Sequence, residues 1–152
     1  MNNCPLAQFH TIYYSVLTVA FSAIFSTDDG FNGIPLSTHA TLLFDKTITN
    51  VGNAYSTITG IFTAPVTGVY AFALNMMAPT GLTHGYLSLA IVKQGAILDQ
   101  VWAPATHADD QGSTDVTTHL TAGEQVWVRQ QAGDAVRGCY WTVFTGYLLH
   151  AH

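Results

Sequence analysis

Three short stretches combine residue types that suit ligand binding. The first is His107-Ala108-Asp109-Asp110-Gln111-Gly112. Its adjacent carboxylates, with Gln111 and backbone carbonyls, offer the several oxygen ligands that calcium takes. Asp109 and Asp110 are the candidate metal ligands, and calcium is the one cofactor the sequence suggests. Two carboxylates alone make a weak site, and a solvated turn accounts for the same residues. The second stretch is Arg137-Gly138-Cys139-Tyr140-Trp141. A guanidinium beside aromatic rings suits sugar carboxylates and sugar ring faces. Arg137 is expected to be exposed, whereas Trp141 is expected to begin the last strand and pack in the core or against another subunit. The third is His150-Ala151-His152, a spacing that chelates a transition metal, although chain ends commonly fray.

Catalytic signatures are absent. The sequence has no Gly-x-Ser-x-Gly elbow, no phosphate-binding loop ending in Gly-Lys-Ser/Thr and no His-Glu-x-x-His zinc helix. Its one glutamate, Glu124, follows Gly123 in a turn-like context, and nothing marks a working pair of carboxylates. These absences favour a binding protein over an enzyme.

The elements that must position those residues are short strands. Alternation with period two is clear in Leu87-Ser88-Leu89-Ala90-Ile91, recurs over residues 67–74, and returns in Val126-Trp127-Val128-Arg129. Lys93-Gln94-Gly95-Ala96 between two apolar runs reads as a tight hairpin turn. Glycines punctuate the chain at or near turns, and strands at such spacing imply a sandwich or barrel. With 152 residues and no linker, repeat or low-complexity tract, a single domain fills the chain. The expected division is an N-terminal extension over residues 1–15 and a globular domain over residues 16–150.

Composition narrows the function further. The chain is 49% hydrophobic and only 9% charged, against about 25% charged in an average soluble domain. Its surface must therefore be neutral and polar, or hidden against other subunits. Four Lys and Arg against nine Asp and Glu leave a net charge of -5. That balance excludes the basic footprint of a nucleic-acid binder and disfavours anionic membrane surfaces.

Residues 1–27 carry no charge, and residues 9–25 are strongly apolar but interrupted by His, Thr, Tyr and Ser. A signal peptide would start with a basic residue, and a membrane span would need about 20 apolar residues. Residues 16–25 are read as a buried strand, and no signal peptide is expected within this chain. Cys4 and Cys139 lack metal-ligand spacing. They pair with one another, or Cys4 bridges to another chain, or Cys139 is a buried thiol and Cys4 a loose one; the sequence leaves these open.

Five blocks in order carry a resemblance. They are Val19-Ala20-Phe21-Ser22-Ala23, the Phe44-Asp45 to Asn50-Val51-Gly52-Asn53-Ala54-Tyr55 segment, Gly60-Ile61-Phe62-Thr63-Ala64-Pro65 running on to Phe72, Leu120-Thr121-Ala122-Gly123-Glu124-Gln125-Val126-Trp127-Val128, and Phe144-Thr145-Gly146-Tyr147-Leu148-Leu149. Together they resemble the complement C1q globular head, within the tumour-necrosis-factor-like superfamily. The resemblance implies an all-β, ten-stranded jelly-roll sandwich that assembles as a homotrimer with both termini at its base. The aromatics Phe62, Tyr70, Phe72, Trp127, Phe144 and Tyr147 would then fill a sheet-on-sheet core and subunit contacts. Without a Gly-x-y collagen run, the chain is most similar to the head-only members of marine invertebrates, molluscs above all. Ala64 stands where many vertebrate members have Cys, the first 15 residues have no recognised counterpart, and no Asn-x-Ser/Thr sequon is present.

For such members the resemblance implies a secreted, extracellular innate-immune recognition protein, lectin-like, that binds microbial or acidic carbohydrate. Three weak sugar sites in a trimer would act together through effective concentration. The candidate ligand-binding residues are His107, Asp109, Asp110, Gln111, Arg129, Arg137 and Tyr140. Two other classes compete: a metal-binding or mineralisation-associated fluid protein, suggested by seven histidines and the acidic loop, and a trimeric module for a receptor or matrix partner.

Overall fold

A computed structural model describes residues 17–28 and 32–152. The expected extension over residues 1–15, the start of the 16–25 strand and Cys4 lie outside the described residues. The described chain runs through strands β1 (Ala20–Ile24), β2 (Ile34–Pro35), β3 (Lys46–Val51), β4 (Phe62–Thr63), β5 (Gly68–Ala78), β6 (Tyr86–Lys93), β7 (Ala96–Pro104), β8 (Asp110–Leu120), β9 (Gln125–Ala132), β10 (Ala135–Val136) and β11 (Val143–Ala151). One sheet has the order β3-β1-β11-β5-β8 and the other β4-β9-β6-β7, with β10 pairing β2 at the side. All pairings are antiparallel. Two sheets joined by crossovers between them make the jelly roll that the sequence blocks imply.

The alternation read from the sequence is the alternation of the core. In β5, Tyr70, Phe72 and Leu74 are fully buried while Val69, Ala71 and Ala73 face outward. Phe21, Phe44, Tyr55, Phe62, Phe72 and Phe144 form one aromatic cluster between the sheets, with Phe21 stacked on Tyr55 at 4.9 Å and edge-on to Phe144 at 5.0 Å. The buried phenols keep partners: Tyr55 donates to the Phe44 carbonyl at 2.7 Å and Tyr70 to the Val66 carbonyl at 2.6 Å. Burial pushes both phenols above their ordinary pKa. Trp127 and Tyr147 are not in this core; Tyr147 is half exposed.

Geometry requires glycine at Gly95 and at Gly146. Gly95 completes the β6–β7 hairpin with Gln94, both at positive φ (87° and 51°), as a two-residue turn of the twist-matching type needs. Gly146 lies between the Phe21 and Phe72 rings, each of which would sit 2.6 Å from an added Cβ. The core aromatics therefore pack onto bare backbone at β11.

Candidate functional site

At the end of the sandwich where β1 and β5 finish and β8 and β11 begin, four chain segments converge on Arg137. Its Nε and Nη2 donate to Asp28, at 3.1 and 2.5 Å, and its Nη1 donates to Asp109 Oδ2. Asp28 Oδ1 also accepts the Gly138 N–H at 2.6 Å, and Asp109 Oδ1 accepts the Thr80 N–H at 3.1 Å. Residues from the segments after β1, after β5, before β8 and after β10 are thus tied to one guanidinium. The hydrogen bond from Arg137 holds the Asp28 carboxyl below its usual range, against the opposing effect of partial burial, with the Gly138 N–H adding to the lowering. The same bond raises the Arg137 pKa. Gly138 is required here, because a Cβ would meet the Thr27 carbonyl oxygen at 2.0 Å.

Beyond the clamp, residues Cys139–Trp141 form one 3₁₀ turn before β11. Cys139 takes a positive φ of 49°, and the turn delivers both following aromatics to solvent: Tyr140 is 70% and Trp141 49% exposed. Trp141 carries the Arg137 guanidinium 5.9 Å from its ring centre. The two rings border an open groove of about 420 Å³, whose other walls are Asn75 and Met76 of β5 and Gln111 to Ser113 of β8. Asn75 pairs with Ser113 and Met77 with Gln111 across the β5–β8 ladder, which is why these residues meet. Aromatic faces beside amides and a hydroxyl suit a polyol ring, with apolar C–H patches stacking and hydroxyls bonding the amides.

The candidate residues divide accordingly. Gln111 and Tyr140 are brought together in the groove. Asp109 and Arg137 meet each other beside it, and Arg137 is not the exposed cation expected: its side chain is 13% accessible and paired to two acids. Trp141, expected to pack in the core or against another subunit, lies outside the core and is half exposed in the single chain, on the 3₁₀ turn before the last strand. His107 is exposed in the loop before β8. Arg129 lies on β9 of the other sheet, bonded to the Gly95 carbonyl at 3.0 Å and Gln131 Oε1 at 2.8 Å, apart from the rest.

The acidic loop does not fit calcium. Both Asp109 oxygens are engaged by protein donors, and Asp110 Oδ1 accepts the following Gln111 N–H at 2.8 Å. Among the described residues no three His, Cys, Asp or Glu side chains group to hold a metal. The C-terminal histidines do not fray: Ala151 pairs with Gly68, and the His152 N–H donates to the Thr67 carbonyl at 2.9 Å. Their rings gather with His119, which no local signal announced, at centroid separations of 5.2 and 5.4 Å. Cys139 is partly buried and has no disulfide partner among the described residues.

Comparison with known proteins decides the family. The family model for the C1q domain matches residues 20–149. This chain belongs to the C1q domain family. Among curated relatives, mouse complement C1q tumor necrosis factor-related protein 3 is 32% identical over 111 residues, covering 71% of this chain and 44% of the relative. Zebrafish Caprin-2 is 29% identical over 148 residues, covering 95% of this chain and 15% of the relative. The chain thus spans less than half the length of these relatives. The globular domain of zebrafish complement 1qA superposes with a TM-score of 0.72 at 19% identity, covering 88% of this chain and 99% of that one. The TNF Eiger of S. frugiperda gives a TM-score of 0.71 at 15% identity, covering 89% and 94%. The C1q and TNF jelly roll is therefore the fold of this chain.

Proposed function

We propose that this C1q domain is an extracellular, secreted recognition protein that acts by binding carbohydrate, on microbial surfaces in particular, and not by turnover. The observation that carries the reading is the groove: two solvent-exposed aromatic rings, Tyr140 and Trp141, face amide and hydroxyl side chains in an open cleft. No hydrophobic core needs those rings exposed, and a sugar ring is the ligand whose alternating C–H and hydroxyl surface matches them.

The domain works as a homotrimer in this reading. Domains of this family assemble as trimers, and the outer face of the five-stranded sheet, over the part of β5 that precedes Asn75 and the groove, has the character of a subunit contact. Val69, Ala71 and Ala73 of β5 are small and uncharged, and half-exposed Tyr147 of β11 lies directly beside Ala71. Trimerisation covers apolar surface that a 9%-charged chain otherwise exposes, and it triplicates a weak sugar site. Among the described residues no helix is long and apolar enough to cross a membrane.

A glycan array, run on the purified protein with calcium and again with EDTA, tests this, alongside light scattering for the oligomeric state. Binding to a sugar class, lost on Trp141→Ala, supports the reading; a folded trimer that binds no glycan removes it. One observation favours a protein partner instead: Trp102 on β7 is 57% exposed and packs on Tyr86 at 5.7 Å, on the other sheet. Saturable capture of a receptor or matrix protein, lost on Trp102→Ala and indifferent to free sugars, would favour that alternative.

A further inference from the structure

We infer that the Tyr140–Trp141 groove selects neutral sugars and turns anionic ones away, a selectivity that rests on the carbohydrate reading above. Recognition of a uronate, sialyl or sulfated sugar requires a cation or unspent N–H donors aimed at the acid. Among the described residues, the groove walls carry no charged side chain. The nearest guanidinium, Arg137, already serves two carboxylates, so Arg137, Asp28 and Asp109 together hold one net negative charge (+1 − 2). Asp110, exposed at the start of β8, adds another beside Gln111.

The remaining cations of the chain are placed elsewhere. The chain has four Lys and Arg in all. Lys93 is paired with Glu124 at 3.0 Å, Arg129 is held by Gly95 and Gln131 on the other sheet, and Lys46, exposed at this same end, sits two strands from Val143 and outside the groove lining. An anionic glycan entering the groove therefore meets a net negative field from the clamp and Asp110, with no cation among the described lining residues, whereas a neutral hexose pays no such cost. The Asp28–Arg137–Asp109 clamp consequently does two things at once. It positions the turn that exposes Trp141, and it withdraws from the groove Arg137, one of the two arginines that the sequence placed among the ligand-binding candidates.

The experiment compares matched glycans on one linker: galactose- and N-acetylglucosamine-terminated probes against their sialylated, glucuronylated and sulfated counterparts. Wild-type protein is expected to favour each neutral member by about fivefold or more at low salt, with the gap narrowing as salt rises. Asp109→Asn takes the clamp from one net negative charge to none and is expected to narrow the gap by raising acidic-glycan binding. That gain of binding cannot come from misfolding. Stronger binding of the acidic members by wild type, lost on Arg137→Gln, would overturn the inference while leaving the carbohydrate reading intact. Failure to bind any probe by a folded trimer would remove both.

Discussion

Replacing Arg137 by Gln tests whether the clamp holds this end of the sandwich together. The change removes the donors of three charge-assisted bonds to two carboxylates that are 19% and 29% accessible. Such bonds contribute about 1.5–3 kcal/mol each to stability at full burial. Partial exposure screens them, while the two acids left behind lose their counter-ion. The net loss should be about 3 kcal/mol. For a domain of this size about 2–4 °C of Tm accompanies each kcal/mol, so Tm should fall by about 6–12 °C at pH 7. The assay is differential scanning fluorimetry at one fixed protein concentration, since the Tm of an oligomer depends on concentration.

The pH dependence distinguishes an ionic clamp from mere packing. Asp28 titrates below its ordinary value in the folded chain, chiefly because Arg137 hydrogen-bonds it. A depressed carboxylate stabilises the fold fully above its unfolded pKa of about 3.9, and that contribution is lost as pH falls through the lower folded value. The Tm gap between wild type and Arg137→Gln should therefore be full at pH 7, begin to shrink near pH 4 and close at lower pH. Arg137→Lys, which keeps the charge without the bidentate fork, should fall between them. A gap equally large at pH 7 and pH 2.5, or smaller than about 2 °C at pH 7, would refute the clamp.

Trp141→Ala should weaken glycan binding by about tenfold or more, a loss typical of an aromatic anchor, while moving Tm little because the ring is half exposed; array titration and fluorimetry together check this. Gly146→Ala should destabilise by about 1–3 kcal/mol, since the new methyl meets the Phe21 and Phe72 rings at 2.6 Å; the denaturant midpoint reports it. Saturating EDTA should leave both Tm and glycan binding unchanged, because the Asp109 oxygens are engaged by Thr80 and Arg137.

The fold was legible because its signals are local. Period-two alternation around Tyr70 and Phe72, and the Gln94-Gly95 turn, each report a strand or hairpin within about ten residues of chain. The clamp has no such signal: Asp28 and Arg137 lie 109 positions apart, and only the completed jelly roll brings them together. Asp109 therefore looked like half of a calcium loop, and Arg137 like a free cation. The place of Trp141 outside the core was illegible for a different reason. A large aromatic next to a strand normally buries itself, but the positive φ at Cys139 turns the 3₁₀ segment outward. Asn75 and Ser113 were invisible as site residues because solvent-facing polar positions on a strand are what alternation leads one to expect.

That division has a consequence for assigning a ligand to this domain. The five blocks that carry the C1q resemblance lie in β1, in β3 and the segment after it, in β4 and β5, at the turn into β9 and in β11, and they supply Phe21, Phe44, Tyr55, Phe62, Phe72 and Phe144, the packed interior. Asn75, Gln111, Ser113, Tyr140 and Trp141 fall outside every one of those blocks, as do Asp28, Asp109 and Arg137 of the clamp. The residues that identify the family and the residues that would choose a ligand are therefore separate sets at this end of the molecule. A jelly roll of this kind can keep its aromatic core while its exposed groove residues Asn75, Gln111, Ser113, Tyr140 and Trp141 change, because none of these five belongs to the core, although Met76 and Gly112 of the wall are fixed by packing. A ligand carried over from another C1q domain consequently has force only where that domain also presents two exposed rings over an uncharged wall.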